Sequence, residues 1–163
     1  MVAKIYSYSL EDLEKIEDIK LERFDTENAW NLGTEARNLA MSRYPNKSVV
    51  IDISLPSGQV LFHTVINSGT ALDNDEWVNR KKRTVFRFGR SSFYMGQKLR
   101  LKGKSIEDAL FISAVDYATH GGSVAIRNEG LDIIVGALTV SGLAQEEDHL
   151  LAIDILKEFK ARS

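Results

Sequence analysis

Ser48-Val49-Val50-Ile51-Asp52-Ile53-Ser54-Leu55, followed by Pro56-Ser57-Gly58 and then Gln59-Val60-Leu61-Phe62-His63-Thr64-Val65-Ile66, is the stretch on which the fold turns. Two β-branched runs joined by a Pro/Gly turn predict a hairpin. Residues 49–53 are apolar except at Asp52, the pattern of a central strand covered on both faces. Further along, residues 123–127 and 132–140 flank Asn128-Glu129-Gly130 and predict a second hairpin. Residues 19–24 alternate loosely and supply a fifth strand. Helices fill the rest. Ser9, with Asp12 three residues on, opens a short acidic helix to Asp18. Thr26 caps a second to Arg43, which Pro45 stops. Asp73 caps a long one to about Leu101, Ser105 another to about Thr119, and Gln145 begins the last, to about Phe159. This order predicts an α+β fold: a five-stranded, mostly antiparallel sheet flanked by helices in α/β/α layers. No linker, repeat or low-complexity tract interrupts residues 1–163, so one domain is expected.

The composition agrees with one folded unit. A chain of 163 residues buries roughly 70% of the surface its unfolded form exposes. Apolar residues at 44% and charged residues at 27% exclude a disordered chain. With no cysteine, disulfides, thiolate metal sites and thiol nucleophiles are excluded, and a reducing compartment is expected. No apolar run approaches the ~18 residues of a membrane span, and no signal-peptide core opens the sequence. A cytoplasmic protein without membrane insertion is therefore expected. The net charge of −2 hides an asymmetry. Residues 73–104 carry ten Lys/Arg against three Asp/Glu, whereas residues 1–35 carry four against nine. Such a basic segment pairs with the protein's own acidic surface or with an external anion.

The basic segment is the expected long helix. At 100° per residue, Trp77, Val78, Val85, Phe88, Ser92, Met95 and Leu99 form a core-facing stripe. Arg80, Arg83, Arg87, Arg90 and Lys98 fall opposite, with Tyr94 among them. Phe86 and Phe93 lie on a flank beside Gly89 and Gly96. That flank is either covered by another helix of the chain or is a subunit interface anchored by the aromatics. Phe86, Arg87, Arg90, Phe93 and Tyr94 are its candidate interface residues. The arginine row is either a surface paired to acidic residues such as 11–18 and 146–148, or a face for phosphate, carboxylate or nucleic acid.

Several stretches carry a resemblance. They are Ala71-Leu72-Asp73-Asn74-Asp75-Glu76-Trp77 with Arg80-Lys81-Lys82, Arg87-Phe88-Gly89 with Ser91-Ser92-Phe93-Tyr94-Met95-Gly96, and His120-Gly121-Gly122. Val140-Ser141-Gly142-Leu143 with Gln145-Glu146-Glu147-Asp148-His149 joins them, as does the run of residues 51–58. Together they resemble the HbpS-like (GlcG-like, "heme-degrading domain") family, in particular its uncharacterised cytosolic branch in fungi and bacteria, from about Phe24 to Lys157. The resemblance implies a profilin-like domain and homo-oligomers built partly through the long helix. Some members bind haem extracellularly, a role not carried over to a chain without a signal peptide.

Tested residue by residue, the chemistry is sparse. Haem needs an axial donor in an apolar slot. The donors to weigh are His63, His120, His149, Met95 and Tyr94, and no haem motif of the family maps onto them. Glu146 and His149 share a helix face, but a di-metal bundle needs that pair from two helices. Ser141 does not sit in G-x-S-x-G. Lys102-Gly103-Lys104-Ser105 mimics only the tail of a P-loop. A pI near 5.9 argues against nucleic acid. The leading expectation is a non-catalytic, homo-oligomeric binding or adaptor protein, without cofactor, that recruits protein partners of chaperone or targeting type. The alternative is a small-ligand or haem-binding protein. The resemblance implies that its pocket would gather Asn74, Trp77, Arg80, Lys81, His120, Gly121, Gly122, Ser141 and His149.

Overall fold

The structure, a computed structural model, describes residues 2–163, with side chains from Lys4 onward. A 3-10 helix at Val2–Ser7 precedes α1 (Leu10–Glu17), β1 (Lys20–Leu21) and α2 (Thr26–Arg43). The first hairpin is β2 (Val49–Ser54) and β3 (Val60–Ile66). Then come α3 (Leu72–Phe88), α4 (Ser92–Lys102), α5 (Ile106–Leu110), the second hairpin of β4 (Ser123–Asn128) and β5 (Ile134–Ser141), and α6 (Gln145–Arg162).

The five strands make one sheet in the order β1-β4-β5-β2-β3. Both hairpins are antiparallel, and so is the β2–β5 pair that joins them. β2 is interior, paired on both sides and with every residue buried, as its apolar run predicts, although β5 is the middle strand. The expected fifth strand shrinks to Lys20–Leu21 and pairs parallel with β4, so the sheet is mostly rather than wholly antiparallel. Helices α2 and α6 cover one face and α3 the other, the expected α/β/α layering.

Three expectations about helices are corrected. The long helix over residues 73–101 is two. Gly89 ends α3 in the left-handed region at φ 72°, and Ser91 caps α4 by accepting from the Tyr94 N–H. A left-handed glycine followed two residues later by a serine cap is a stop and a start in three residues. The break re-aims every side chain after it. Phe93 becomes fully buried, and Tyr94 is buried with its hydroxyl donating to Glu14 at 3.0 Å. Both pack with Ile5, Leu13 and Met95 between α1 and α4. Phe93 therefore belongs to the chain's own core, not to a free flank, while Phe86 stays half-buried.

The helix expected over residues 105–119 is only Ile106–Leu110, closed by Phe111 at φ 57°. The chain then runs as a loop laid along α3. Arg80 donates to the Ala114 carbonyl at 2.7 Å, Arg83 to the Asp116 carbonyl at 2.7 Å, and Arg87 to the Tyr117 hydroxyl at 3.0 Å. The arginine row is thus largely a clamp on this loop. Only Arg90 pairs with the acidic first helix, at 3.4 Å from Glu14. Finally, Asp25 rather than Thr26 caps α2, accepting from Asn28 N–H at 2.9 Å.

Candidate functional site

The site starts from two helix origins. The first turns of α3 and α6 converge on the end of β5 and enclose a cavity of about 240 Å³. Asn74, Trp77 and Lys81 reach it from α3, His120 from the loop before β4, Ser141 from β5, and Gln145 and Asp148 from α6.

Its floor is an ion pair. Lys81 Nζ lies 3.1 Å from Asp148 Oδ2 and donates to the Val140 carbonyl at 3.2 Å, with both side chains almost wholly buried. Asp148 Oδ1 accepts from the Leu143 N–H at 3.0 Å. Burial pushes Lys81 below its ordinary range against the pull of Asp148. Burial likewise raises Asp148 to about 6, although Lys81 and the Leu143 N–H both pull it down. Both shifts favour the neutral pair, because a charge in a dry site loses its hydration. His120, packed edge-on against Trp77 with ring centroids 4.8 Å apart, is also lowered, by burial first and then by Lys81 and Arg80.

The Gly121-Gly122 pair makes this floor sterically possible. A side chain on Gly122, at φ 137°, would strike the Val140 carbonyl and come 2.8 Å from Lys81 Nζ. One on Gly121 would strike the Gln145 carbonyl and come 3.0 Å from His149 Cβ. The Gly121 N–H is instead satisfied by a side chain, donating to Gln145 Oε1 at 3.0 Å.

Asn74, Trp77, Lys81, His120 and Ser141 thus line one cavity, with Gly121 and Gly122 packed behind it. Two expected members do not reach it. The Arg80 guanidinium turns away to Ala114 and lies 4.4 Å over the Trp77 ring. His149 is fully buried, stacked on Phe93 with centroids 4.9 Å apart, and its Nε2 is 3.6 Å from Glu17 Oε2. Asp148 and Gln145 were missed, because Glu146-Glu147-Asp148 reads as a solvated acidic first turn. A signal was available. Lys81 follows Val78 by three and precedes Val85 by four, and Asp148 precedes Leu151 by three and Ala152 by four. Both charges therefore sit on the apolar stripes of their helices.

A second cavity, of about 350 Å³, lies between α1 and the α3–α4 break, bordered by Glu14, Glu17, Arg90, Ser91 and Arg127. Burial raises Glu17 to about 7, against hydrogen bonds from Ser91, and lowers His149 to about 3. A third cluster is fully engaged. Asp52 accepts from Ser54 Oγ at 2.6 Å and Lys82 Nζ at 3.3 Å and meets His63 Nδ1 at 2.9 Å, while His63 Nε2 is 3.2 Å from Asp75.

Four of the five candidate haem donors are engaged or buried. Both ring nitrogens of His63 are taken by carboxylates, and His149 is sealed in the core. Met95 is buried and Tyr94 is committed to Glu14. His120 is exposed and borders two cavities: Asp73, Asn74 and Lys81 line one beside Trp77 and Leu143, and Arg100, Lys104 and Glu107 line the other beside Leu99 and Ile106. Among the described residues no group of three His, Cys, Asp or Glu side chains is placed to hold a metal ion, and no helix is long and apolar enough to cross a membrane.

Comparison with known proteins gives a consistent result. Residues 24–157 match the family described as "Haem degrading protein HbpS-like". The UPF0303 protein YBR137W of Saccharomyces cerevisiae is 49% identical over 156 residues, covering 93% of this chain and 86% of that protein. A UPF0303 protein of Psychromonas ingrahamii is 40% identical over 152 residues, covering 93% and 92%. A crystal structure of Ybr137w protein superposes with a TM-score of 0.96 at 45% identity, covering 99% of this chain and 95% of that one. A PduOC:heme complex shares the fold at a TM-score of 0.64 and 19% identity, covering 86% and 94%.

Proposed function

Taking as premise that the chain belongs to the HbpS-like family, we propose that it is a binding protein for a small, uncharged organic molecule held between α3 and α6. One observation carries this reading: a buried Lys81–Asp148 pair that is also the floor of an open cavity. Burying two charges costs several kcal/mol each, and this pair is buried beside a cavity rather than among packed side chains alone. Here the cavity brings polar groups together under the half-buried face of Trp77. Asp73 and Asp148 against Lys81 leave no excess positive charge to attract an anion. A haem cofactor is not part of this reading.

A melting-temperature screen with small alcohols, aldehydes, ketones and amides tests it, because a ligand of the folded state stabilises in proportion to its occupancy. At least one class is expected to raise the melting temperature, and Trp77→Ala is expected to abolish the rise. Flat curves for every class, with hemin alone giving a shifted Soret band, would overturn it.

A second reading, self-assembly into a homo-oligomeric scaffold, is favoured by the loop clamped to α3. Phe111 is 87% exposed and Val115 81% exposed, unusual for apolar side chains so close together. They join the half-buried Phe86 as anchors to test, whereas Phe93 lies in the core. Native mass spectrometry is expected to give multiples of 18.3 kDa that Phe111→Asp shifts toward the single chain; a wild-type mass of one chain would refute it. No contact in either cavity or on this loop supports recruitment of chaperone or targeting components.

A further inference from the structure

Lys81 is the one lysine that lines the cavity, and its setting is that of a nucleophile rather than of a surface charge. An ammonium has three hydrogens to donate. The Val140 carbonyl and Asp148 take two, and the cavity borders the same side chain. The wall behind it has been cleared by Gly122, so the amine sits where an ordinary side chain would exclude it. A base stands within a hydrogen bond at 3.1 Å. His120 lines the same cavity, and the Arg80 guanidinium turns away from it.

We propose that Lys81 captures a small uncharged aldehyde or ketone as a protonated imine, with Asp148 shuttling the protons. The proposal deepens the pocket reading and rests on it. The step balances without any further reactant. Asp148 takes a proton from the Lys81 ammonium, and the freed lone pair on Nζ attacks the carbonyl carbon. The C=O π pair moves to oxygen, which takes that proton from Asp148. Asp148 then takes a second proton from nitrogen. The nitrogen lone pair expels the hydroxyl, which leaves as water on receiving this proton. The products are a protonated imine, one water and the carboxylate of Asp148. The first transfer is aided by burial, which lowers Lys81 and raises Asp148. Trp77 and Leu143 offer apolar contact to the carbonyl compound's hydrocarbon part.

The test uses wild-type protein with 4-hydroxybenzaldehyde and cyanoborohydride at pH 7, which reduces an imine to a stable secondary amine. Peptide mass mapping follows each lysine with time. Lys81 is expected to be labelled at least tenfold faster than the exposed Lys47 and Lys104, which lie outside this cavity. Asp148→Asn should slow Lys81 tenfold or more and leave Lys104 unchanged. In parallel, 4-hydroxybenzyl alcohol, which has no carbonyl, is titrated by melting temperature. Labelling of Lys81 no faster than the exposed lysines overturns the imine. If the alcohol still stabilises the protein, the pocket reading stands without it; if the alcohol also does nothing, both fall.

Discussion

Toward α2 and α6 the sheet presents Ile51, Ile53, Phe62, Val124, Leu138 and Val140, packed on Leu32, Leu151 and Ile155 in one continuous apolar core. Toward α3 the same four strands present Ser123, Thr139, Asp52 and His63, which are successive cross-strand partners. Ser123 and Thr139 bond each other at 2.8 Å, and α3 answers with Lys81 on the Val140 carbonyl and Lys82 on Asp52 and Ser54. One face is held by non-directional burial, the other by hydrogen bonds that must each be satisfied. The apolar face can seal itself; the polar face leaves directional groups at its margin, and the cavity opens there.

Substitutions at three places sharpen this contrast. The largest loss is expected on the apolar face. Leu138→Ala leaves a void among fully buried neighbours and should cost about 3 kcal/mol or more in a denaturant melt. A loss below about 1 kcal/mol would mean that this face is loosely packed.

On the polar face, Lys81→Met or Asp148→Leu alone strands one buried charge, at about 3 kcal/mol each. The double variant should recover at least half of the summed loss, read as the coupling energy of a double-mutant cycle. Additive losses would show that the two charges do not depend on each other.

The third effect is a pH dependence at Glu17, which faces His149, Ser91, Arg90 and Glu14. The folded chain holds its proton up to about pH 7, whereas the unfolded chain releases it near 4.5. The folded state therefore binds more protons between those values, and stability falls as pH rises through that window. Glu17→Gln removes this fall, so the variant should melt higher than wild type at pH 8 and equally at pH 4.5. Parallel melting curves across that range would show that Glu17 titrates normally.

Much of this was legible in the chain. Both hairpins follow from β-branched runs flanking turn residues, and the Ser9–Asp12 capping box forms as expected, with hydrogen bonds of 3.0 Å. The clustering of Asn74, Trp77, Lys81, His120 and Ser141 was expected from the resemblance rather than from spacing. The split of the basic helix was not foreseen, although Gly89 and Ser91 encode it, because an unbroken 100° projection gave a coherent stripe on both sides of the break. The arginine row misled for a related reason: Arg80, Arg83 and Arg87 bond oxygens of a loop that looked helical, with Asp116 of that loop rather than an acidic helix beside Arg83.

The part that the sequence determined by itself is local. Turn chemistry, caps and apolar period set the elements, because those signals act over a few residues. Only the tertiary structure decided which charges are buried. Lys81 and Asp148 are 67 residues apart, and each alone reads as surface. Only the register of β5 against β2 and the packing of α3 and α6 at its end bring them to 3.1 Å. A buried charge is tolerable only when its partner arrives with it, and that pairing is a property of the assembled fold.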